Sequence, residues 1–197
     1  MGMSPLLAVL LAAAAGEFPP ADGRAVFLPP LPNGHAAVVS LTGRVYLATD
    51  RRLPGLDGFG SALRPEVLRE LAGPAGEIDT LDVTLAAHGL GGGVLPARLD
   101  LGEHPRVRQA LAIRQDVRVY GDDRGLVTVA QGLAERTEMS VEAFQPGKGR
   151  QLIREALRLV PAGEPVFAAV APGNARSLRA FLAEEFVPLG SEVIIRP

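Results

Sequence analysis

Residues 138–160 change their hydrophobic period at a short glycine turn, and this change constrains the fold more than any other feature of the chain. Apolar and polar residues alternate over 138–143, which is the period of a half-buried strand. After the turn, apolar residues recur at helical spacing over 152–160. The intervening Gly-Lys-Gly at 147–149 lacks two Cβ atoms, so backbone N–H groups can turn outward. The pattern predicts a strand, a tight turn and a helix.

A glycine turn at the positive end of a helix is an anion-binding geometry, and phosphate is the usual anion. Two common phosphate loops fit this turn poorly. A Walker A loop requires Gly-Lys-Ser/Thr, whereas Gly149 is followed by Arg150. A dinucleotide fingerprint requires a third glycine or alanine, where Leu152 stands, and an acidic residue at the end of the next strand. Neither pattern accounts for the turn.

An apolar strand at 166–170 follows the helix, Asn174 opens a helix at 175–186, and a closing hairpin ends at Ile195. In this order the elements resemble those of the GNAT superfamily of acetyl-CoA-dependent N-acetyltransferases. With the helix and strands that precede the turn, the likeness extends back to about His104. It implies an α/β (α+β) fold with a mixed, mostly antiparallel twisted sheet, a splayed central strand pair and flanking helices.

The resemblance implies acetyl-CoA as cosubstrate and assigns the residues that hold it. In the family, the pantetheine arm lies between the splayed strands and bonds to their main chain, while the diphosphate rests on the glycine turn. The positions that match are Met139, Val141 and Ala143 for the arm, Gln145, Gly147, Lys148, Gly149 and Arg150 for the diphosphate, and Asn174 as a helix cap that contacts the cofactor. A purely structural turn and an ordinary N-cap are the alternatives.

Candidate catalytic residues are fewer. Glu138 and Glu142, on the polar face of the strand, are candidates for deprotonating an acceptor amine, although exposed strand carboxylates are commonly only solvated. Many family members carry a tyrosine that protonates the leaving thiolate, where this chain has Phe181, and Ser177 is a candidate replacement. The resemblance implies an N-acetyltransferase in which the amine attacks the thioester directly. Phe181 and a shortened glycine turn favour the alternative, a catalytically inactive acyl-CoA-binding or structural module.

Composition limits the chemistry further. The chain has no cysteine, which excludes disulfides, a thiolate nucleophile and cysteine-based zinc sites. Its histidines, His35, His88 and His104, are far apart, so no metal site is expected. The net charge of −2 gives no general attraction to nucleic acid or an anionic membrane. Lys148 is the single lysine among 20 basic residues, and it lies in the glycine turn.

Residues 1–101 predict a smaller α/β half with the order helix, strand, hairpin, helix, strand, which also fits a decayed copy of the half at 102–197. The first helix is expected to begin at Pro5, with Ser4 as its N-cap. Its apolar run is too short to span a bilayer. A signal peptide is the alternative, but no basic residue precedes the run, so a cytoplasmic protein is expected. The glycines at 89–93 lead into no helix and predict a flexible connector.

The sequence does not identify the acceptor amine. A small molecule and a peptide are both compatible with the resemblance, and so is a homodimer.

Overall fold

The computed structural model describes residues 2–32 and 34–196. The α-helices of this region are α1 (Pro5–Ala14), α2 (Pro65–Ala72), α3 (Pro105–Ile113), α4 (Gly149–Leu159) and α5 (Ala175–Leu182). The strands are β1 (Ala25–Leu28), β2 (Ala36–Leu41), β3 (Arg44–Ala48), β4 (Glu77–Ile78), β5 (Asp82–His88), β6 (Gln115–Asp122), β7 (Gly125–Gln131), β8 (Thr137–Ala143), β9 (Pro165–Val170) and β10 (Val187–Arg196). Most strand pairs are antiparallel, which confirms the predicted mixed α/β class.

The chain divides into two compact units. One comprises Met1–Thr84 together with Pro188–Pro197, and the other comprises Leu85–Val187. The division falls inside β5 and therefore precedes the boundary expected at residue 101. The last ten residues belong with the N-terminal unit. The second compact unit therefore ends at Val187 and not at the end of the expected half at 102–197.

The first unit contains the neighbouring strands β1, β3, β2 and β10, and β4 pairs with the end of β10. Strand β1 is parallel to β3, whereas β2 and β3 form the predicted antiparallel hairpin. Its turn residues Thr42 and Gly43 have φ values of 49° and 94°, the left-handed pair typical of two-residue hairpins. Leu71 of α2 is buried in one apolar cluster with Val38, Leu47 and Val193 of this sheet. Burial of that cluster stabilises the unit.

The predicted closing hairpin is wrong, because β10 is one continuous strand. It pairs antiparallel with β2 from Gly190 opposite Leu41 to Ile195 opposite Ala36. A Cβ at Gly190 would overlap the carbonyl oxygen of Ser40, so this glycine permits a close approach of two strands. Gly190 therefore lies at a tight contact between two strands and not in a hairpin turn.

The second unit contains the antiparallel strands β6, β7 and β8, with β9 parallel to β8. Helices α3 and α4 lie on opposite faces of this sheet. Arg114, just after α3, reaches Glu138, whereas Leu152 of α4 lies over Gly125, whose partner on β8 is Ala143. Glu138 and Ala143 project to opposite faces, because side chains alternate along a strand.

The segment expected to be a flexible connector is instead bonded to the end of α4. The N–H groups of Leu90, Gly91 and Gly93 donate to the carbonyl oxygens of Leu157, Val160 and Arg158 at 2.8–2.9 Å. A Cβ at Gly93 would lie 2.8 Å from the main chain of Arg158, so the close approach requires glycine. Residues 90–93 therefore bond to carbonyl groups at the C-terminal end of α4, where a helix lacks intrahelical donors for its last carbonyls.

Candidate functional site

Strand β8 carries the residues expected to line the cofactor cleft, and its two edges are paired to different extents. Toward β7 it is paired along its whole length, from Thr137 opposite Gln131 to Ala143 opposite Gly125. Toward β9 it is paired at one position, where Glu138 lies opposite Phe167. Over the rest of β8, which lies wholly in the described part of the chain, the structure assigns no residue pair with β9. The two strands therefore separate toward the glycine turn.

The separated edge of β8 presents main-chain polar groups. The N–H of Phe144 donates to the carbonyl oxygen of Arg124, next to β7, at 2.9 Å. Because main-chain groups alternate between the two edges of an antiparallel strand, those of Val141 and Ala143 face the β9 side. Val141 is half-buried and Ala143 is exposed, whereas Met139, nearer the paired position, is buried. The two outer positions are therefore accessible to a bound chain.

The glycine turn follows β8 directly and is open on its outer side. Gly147 has a φ of 80°, in the left-handed region that favours glycine. The N–H of Lys148 donates to the carbonyl oxygen of Gln145 at 3.3 Å, and the N–H of Gln145 donates to that of Arg124 at 3.4 Å. Two of the five N–H groups assigned to the diphosphate thus have partners in and beside the turn. A Cβ at Gly147 or Gly149 would meet no atom within 4 Å, so the space beside these two residues is open in the described structure.

Helix α4 starts at Gly149, and its N-terminal end is uncapped. Lys148 occupies the cap position, its side chain makes no capping hydrogen bond, and the first turn holds no acidic residue. The N–H groups of the first turn point out of the helix without an intrahelical acceptor. The positive end of the helix dipole is therefore available to an anion, whereas residues 90–93 donate hydrogen bonds to carbonyl groups at the opposite end.

Two arginines of α4 share one buried carboxylate. Arg150 and Arg154 each place Nε 2.9 Å from an oxygen of Glu184. The Glu184 side chain is 4% exposed, whereas both arginine side chains are more than half exposed. These ion pairs connect α4 to the chain just beyond α5. The Arg150 side chain is therefore already engaged, although its backbone N–H belongs to the open first turn.

Glu138 is buried. This finding corrects the expectation that its carboxylate lies on a solvated face of the strand. Its carboxylate accepts hydrogen bonds from Arg114 Nε at 2.9 Å and from Arg136 Nε at 3.0 Å. Burial by itself would raise the pKa of Glu138, but the charges and hydrogen bonds of Arg136 and Arg114 outweigh it and lower the pKa to about 2. A carboxylate that is charged and paired in this way is a poor proton acceptor near neutral pH.

Sequence reasoning missed both arginine partners of Glu138. Arg136 lies two residues before Glu138, so the alternation of a strand places the two side chains on the same face. This spacing alone is weak evidence for an ion pair. Arg114 lies 24 residues away and reaches Glu138 only because α3 packs against the sheet. No spacing rule connects a residue at the end of a helix with a particular strand position.

Glu142, at the other end of the same face, is accessible. Its carboxylate lies 3.3 Å from Arg106 Nε and 3.8 Å from His104 Nε2, and its side chain is 38% exposed. His104 Nδ1 accepts the N–H of Arg106 at 3.3 Å, so a neutral imidazole here carries its proton on Nε2, toward Glu142. The His104 ring lies 5.7 Å from the Phe144 ring. The sequence pattern did not connect His104 with Glu142, and the fold brings the two side chains together.

The remaining predicted residues lie on α5. Asn174 accepts the N–H of Ser177 at 3.1 Å through its side chain and is the predicted N-cap. No hydrogen bond in the described region joins Ser177 to Glu138 or Glu142. Phe181, at the family's tyrosine position, is buried and packs edge-on against Phe186, with ring centroids 4.9 Å apart. Its ring is part of the core.

Within residues 2–32 and 34–196, no group of three or more acidic or histidine side chains is arranged to hold a metal ion. None of the helices in this region has both the length and the apolar character that a bilayer-crossing helix requires. Comparison of the chain with models of protein families, with curated proteins and with solved structures finds no match.

Proposed function

We propose that this chain binds acetyl-CoA between β8 and β9 and transfers its acetyl group to an amine, as GNAT-type N-acetyltransferases do. The observation that carries the proposal is the strand pairing that stops after Glu138 and Phe167. Beyond it, the main-chain groups of Val141 and Ala143 face a separated strand. The main-chain groups of the half-buried Val141 require partners, and the amides of an extended pantetheine arm can supply them there and at the exposed Ala143.

The glycine turn supports the same ligand. It begins directly after β8, so an arm that runs along Val141 and Ala143 brings its diphosphate to the start of α4. There the N–H groups of the first turn and the positive helix end favour a bound anion. Lys148, at the cap position, adds a mobile positive charge.

The reaction requires a group that accepts a proton. The amine nitrogen attacks the thioester carbonyl, the C–N bond forms, the C–S bond breaks, and the amine gives up a proton. Glu142 is the better acceptor of that proton, because it is half-exposed, whereas both oxygens of the buried Glu138 are held by arginines. An N–H group of β8 stabilises the developing oxyanion, and the bound geometry aligns the reactants. Phe181 has no hydroxyl, so the departing thiolate takes its proton from water.

A second candidate function is acyl-CoA binding without catalysis. The observation in its favour is the burial of Phe181 against Phe186, which leaves no general acid at that position. Under this alternative the cleft and the glycine turn hold the ligand, but no amine is acetylated. The two functions predict the same binding and differ only in turnover.

Calorimetric titration with acetyl-CoA tests the binding site. A Gly149→Leu variant places a side chain in open space at the helix start, where Cβ atoms tilt toward the N-terminus and into the path of the diphosphate. We expect acetyl-CoA binding to weaken at least about tenfold, the effect of losing roughly 1.4 kcal/mol. Gly102→Leu is the matched control, since Gly102 also has open space and lies outside the turn. Equal binding by all three proteins, or no binding by any, would reject the site.

Thiol release in the presence of an amine panel tests the enzyme. Turnover by the native chain that falls roughly a hundredfold in Glu142→Gln, with unchanged acetyl-CoA affinity, supports the transferase and the assigned base. Saturable binding without turnover on any amine supports the inactive module instead.

A further inference from the structure

A depression of about 490 Å³ lies at the start of β6. It is lined by Asp116, Val117, Arg118, Ala130, Gln131 and Thr137. Thr137 begins β8, so the depression lies at the opposite end of that strand from Ala143 and the glycine turn. Its volume is in the range of small-molecule sites. It is distinct from the proposed acetyl-CoA cleft.

A β-bulge shapes the depression. Gln115 pairs with Gln131 and Arg118 pairs with Val129, so β6 has one residue more than β7 over this span. Asp116, within the bulge, has a φ of 51°, in the left-handed region. Such a bulge position usually holds glycine, because a side chain there is strained.

The aspartate at this position is unexpected in a glycine-rich chain. In the described part of the chain 18 residues have positive φ; 13 of them are glycine and five, Asp116 among them, are not, so glycine is the usual residue for such backbone. Aspartate tolerates a left-handed conformation when its side chain bonds to nearby main chain. Within residues 2–32 and 34–196, however, the Asp116 carboxylate makes no hydrogen bond or ion pair. The local backbone therefore gives no reason for an aspartate, in place of glycine, at position 116.

Arg118 is the second charged group of the depression, and it is also without a partner in the described part of the chain. Both side chains are exposed, and they do not approach each other closely enough to form an ion pair. A ligand with one positive and one negative group can form an ion pair with each of these two side chains at the same time. Gln131 and Thr137 add neutral hydrogen-bonding groups, and Val117 adds an apolar one.

We infer that this depression binds a compact zwitterion of the α-amino acid class. Arg118 receives the ligand carboxylate, for which a guanidinium offers paired N–H donors, and Asp116 receives the ammonium group. The ligand side chain faces Val117 and Ala130, which leaves room for a small apolar group. Since the site is open to solvent, a dissociation constant of roughly millimolar order is expected.

NMR titration of the full chain with L-alanine, up to about 50 mM, tests this site. We expect saturable amide shifts confined to 115–118, 130–131 and 137. Acetate and methylammonium, each with one of the two charges, should bind at least about fivefold more weakly, since each lacks one ion pair. Shifts without saturation, shifts elsewhere, or equal binding of the single-charge probes would overturn the inference.

Two variants separate binding from folding. Asp116→Gly suits the backbone better, so it should keep or raise the thermal unfolding midpoint while weakening L-alanine binding about fivefold or more. Arg118→Gln should weaken binding to a similar degree. Arg108→Gln, an exposed arginine on α3 outside the depression, is the control and should leave binding unchanged. If Asp116→Gly binds L-alanine as tightly as the native chain, the carboxylate has no role in binding and the inference fails.

Discussion

The guanidinium carbon of Arg136 lies 5.1 Å from the centroid of the Phe167 ring, in a cation–π contact. Phe167 is also the residue of β9 that pairs with Glu138, and Glu138 accepts hydrogen bonds from Arg136. A buried ion pair and an aromatic ring thus meet at the position where β8 and β9 are paired. The cluster therefore lies at the point from which the two strands separate.

The first prediction concerns the stability of this cluster. Replacing Glu138 with glutamine removes the negative charge between two arginines, of which Arg136 is fully buried. We expect the free energy of unfolding to fall by about 3–5 kcal/mol, because the variant removes one partner of a buried ion pair. Urea unfolding measures the change. Glu142→Gln is the matched control on the same strand face, and its half-exposed ion pairs should be worth less than about 1 kcal/mol. Equal losses in the two variants would contradict the assigned role of Glu138.

The second prediction concerns acid. The folded chain lowers the pKa of Glu138 from 4.5 to about 2. Because the folded pKa lies below the unfolded one, the stabilisation from Glu138 is complete above pH 4.5 and is lost as the pH falls toward 2. The free energy of unfolding should decline more steeply over this interval in the native chain than in Glu138→Gln. Parallel pH profiles for the two proteins would show that Glu138 titrates normally.

The third prediction concerns the position where the resemblance led us to expect a tyrosine. Phe181→Ala should lower the free energy of unfolding by about 3–5 kcal/mol, since it leaves a cavity beside Phe186. Leu182→Ala, one residue along α5, removes a half-exposed side chain and should cost less than about 1 kcal/mol. Thermal or urea unfolding distinguishes them. A small effect at Phe181 would mean that its ring is not part of the core.

The fourth prediction separates the two roles of Asn174. Asn174→Ala removes the hydrogen bond to the N–H of Ser177 and should destabilise the chain by about 1 kcal/mol. Asn174→Ser restores a capping oxygen and should recover most of that loss. If Asn174 also contacts the proposed acetyl-CoA, the serine variant will regain stability without regaining affinity, as measured by calorimetry. Recovery of both together would assign Asn174 to capping alone.

Much of the region around the proposed cleft was predictable from local pattern. The change of period at 147–149 located β8, the turn and α4, because strand and helix periods are properties of consecutive residues. The asparagine N-cap and the proline that begins α1 were predictable for the same reason. The same alternation did not reveal that Glu138 is buried, since a polar residue on one face of a strand is compatible with water or with a buried partner.

The sequence by itself determined where the elements begin and which faces of them are apolar, because periodicity and capping act over a few residues. Only the tertiary structure decided that β10 pairs with β2 as one strand, that Arg114 reaches Glu138, and that the glycines of 89–93 bond to the end of α4. Each of these depends on contacts between distant segments. One hydrophobic pattern is compatible with many different strand pairings and ion pairs. The packing of the whole unit determines which of them form.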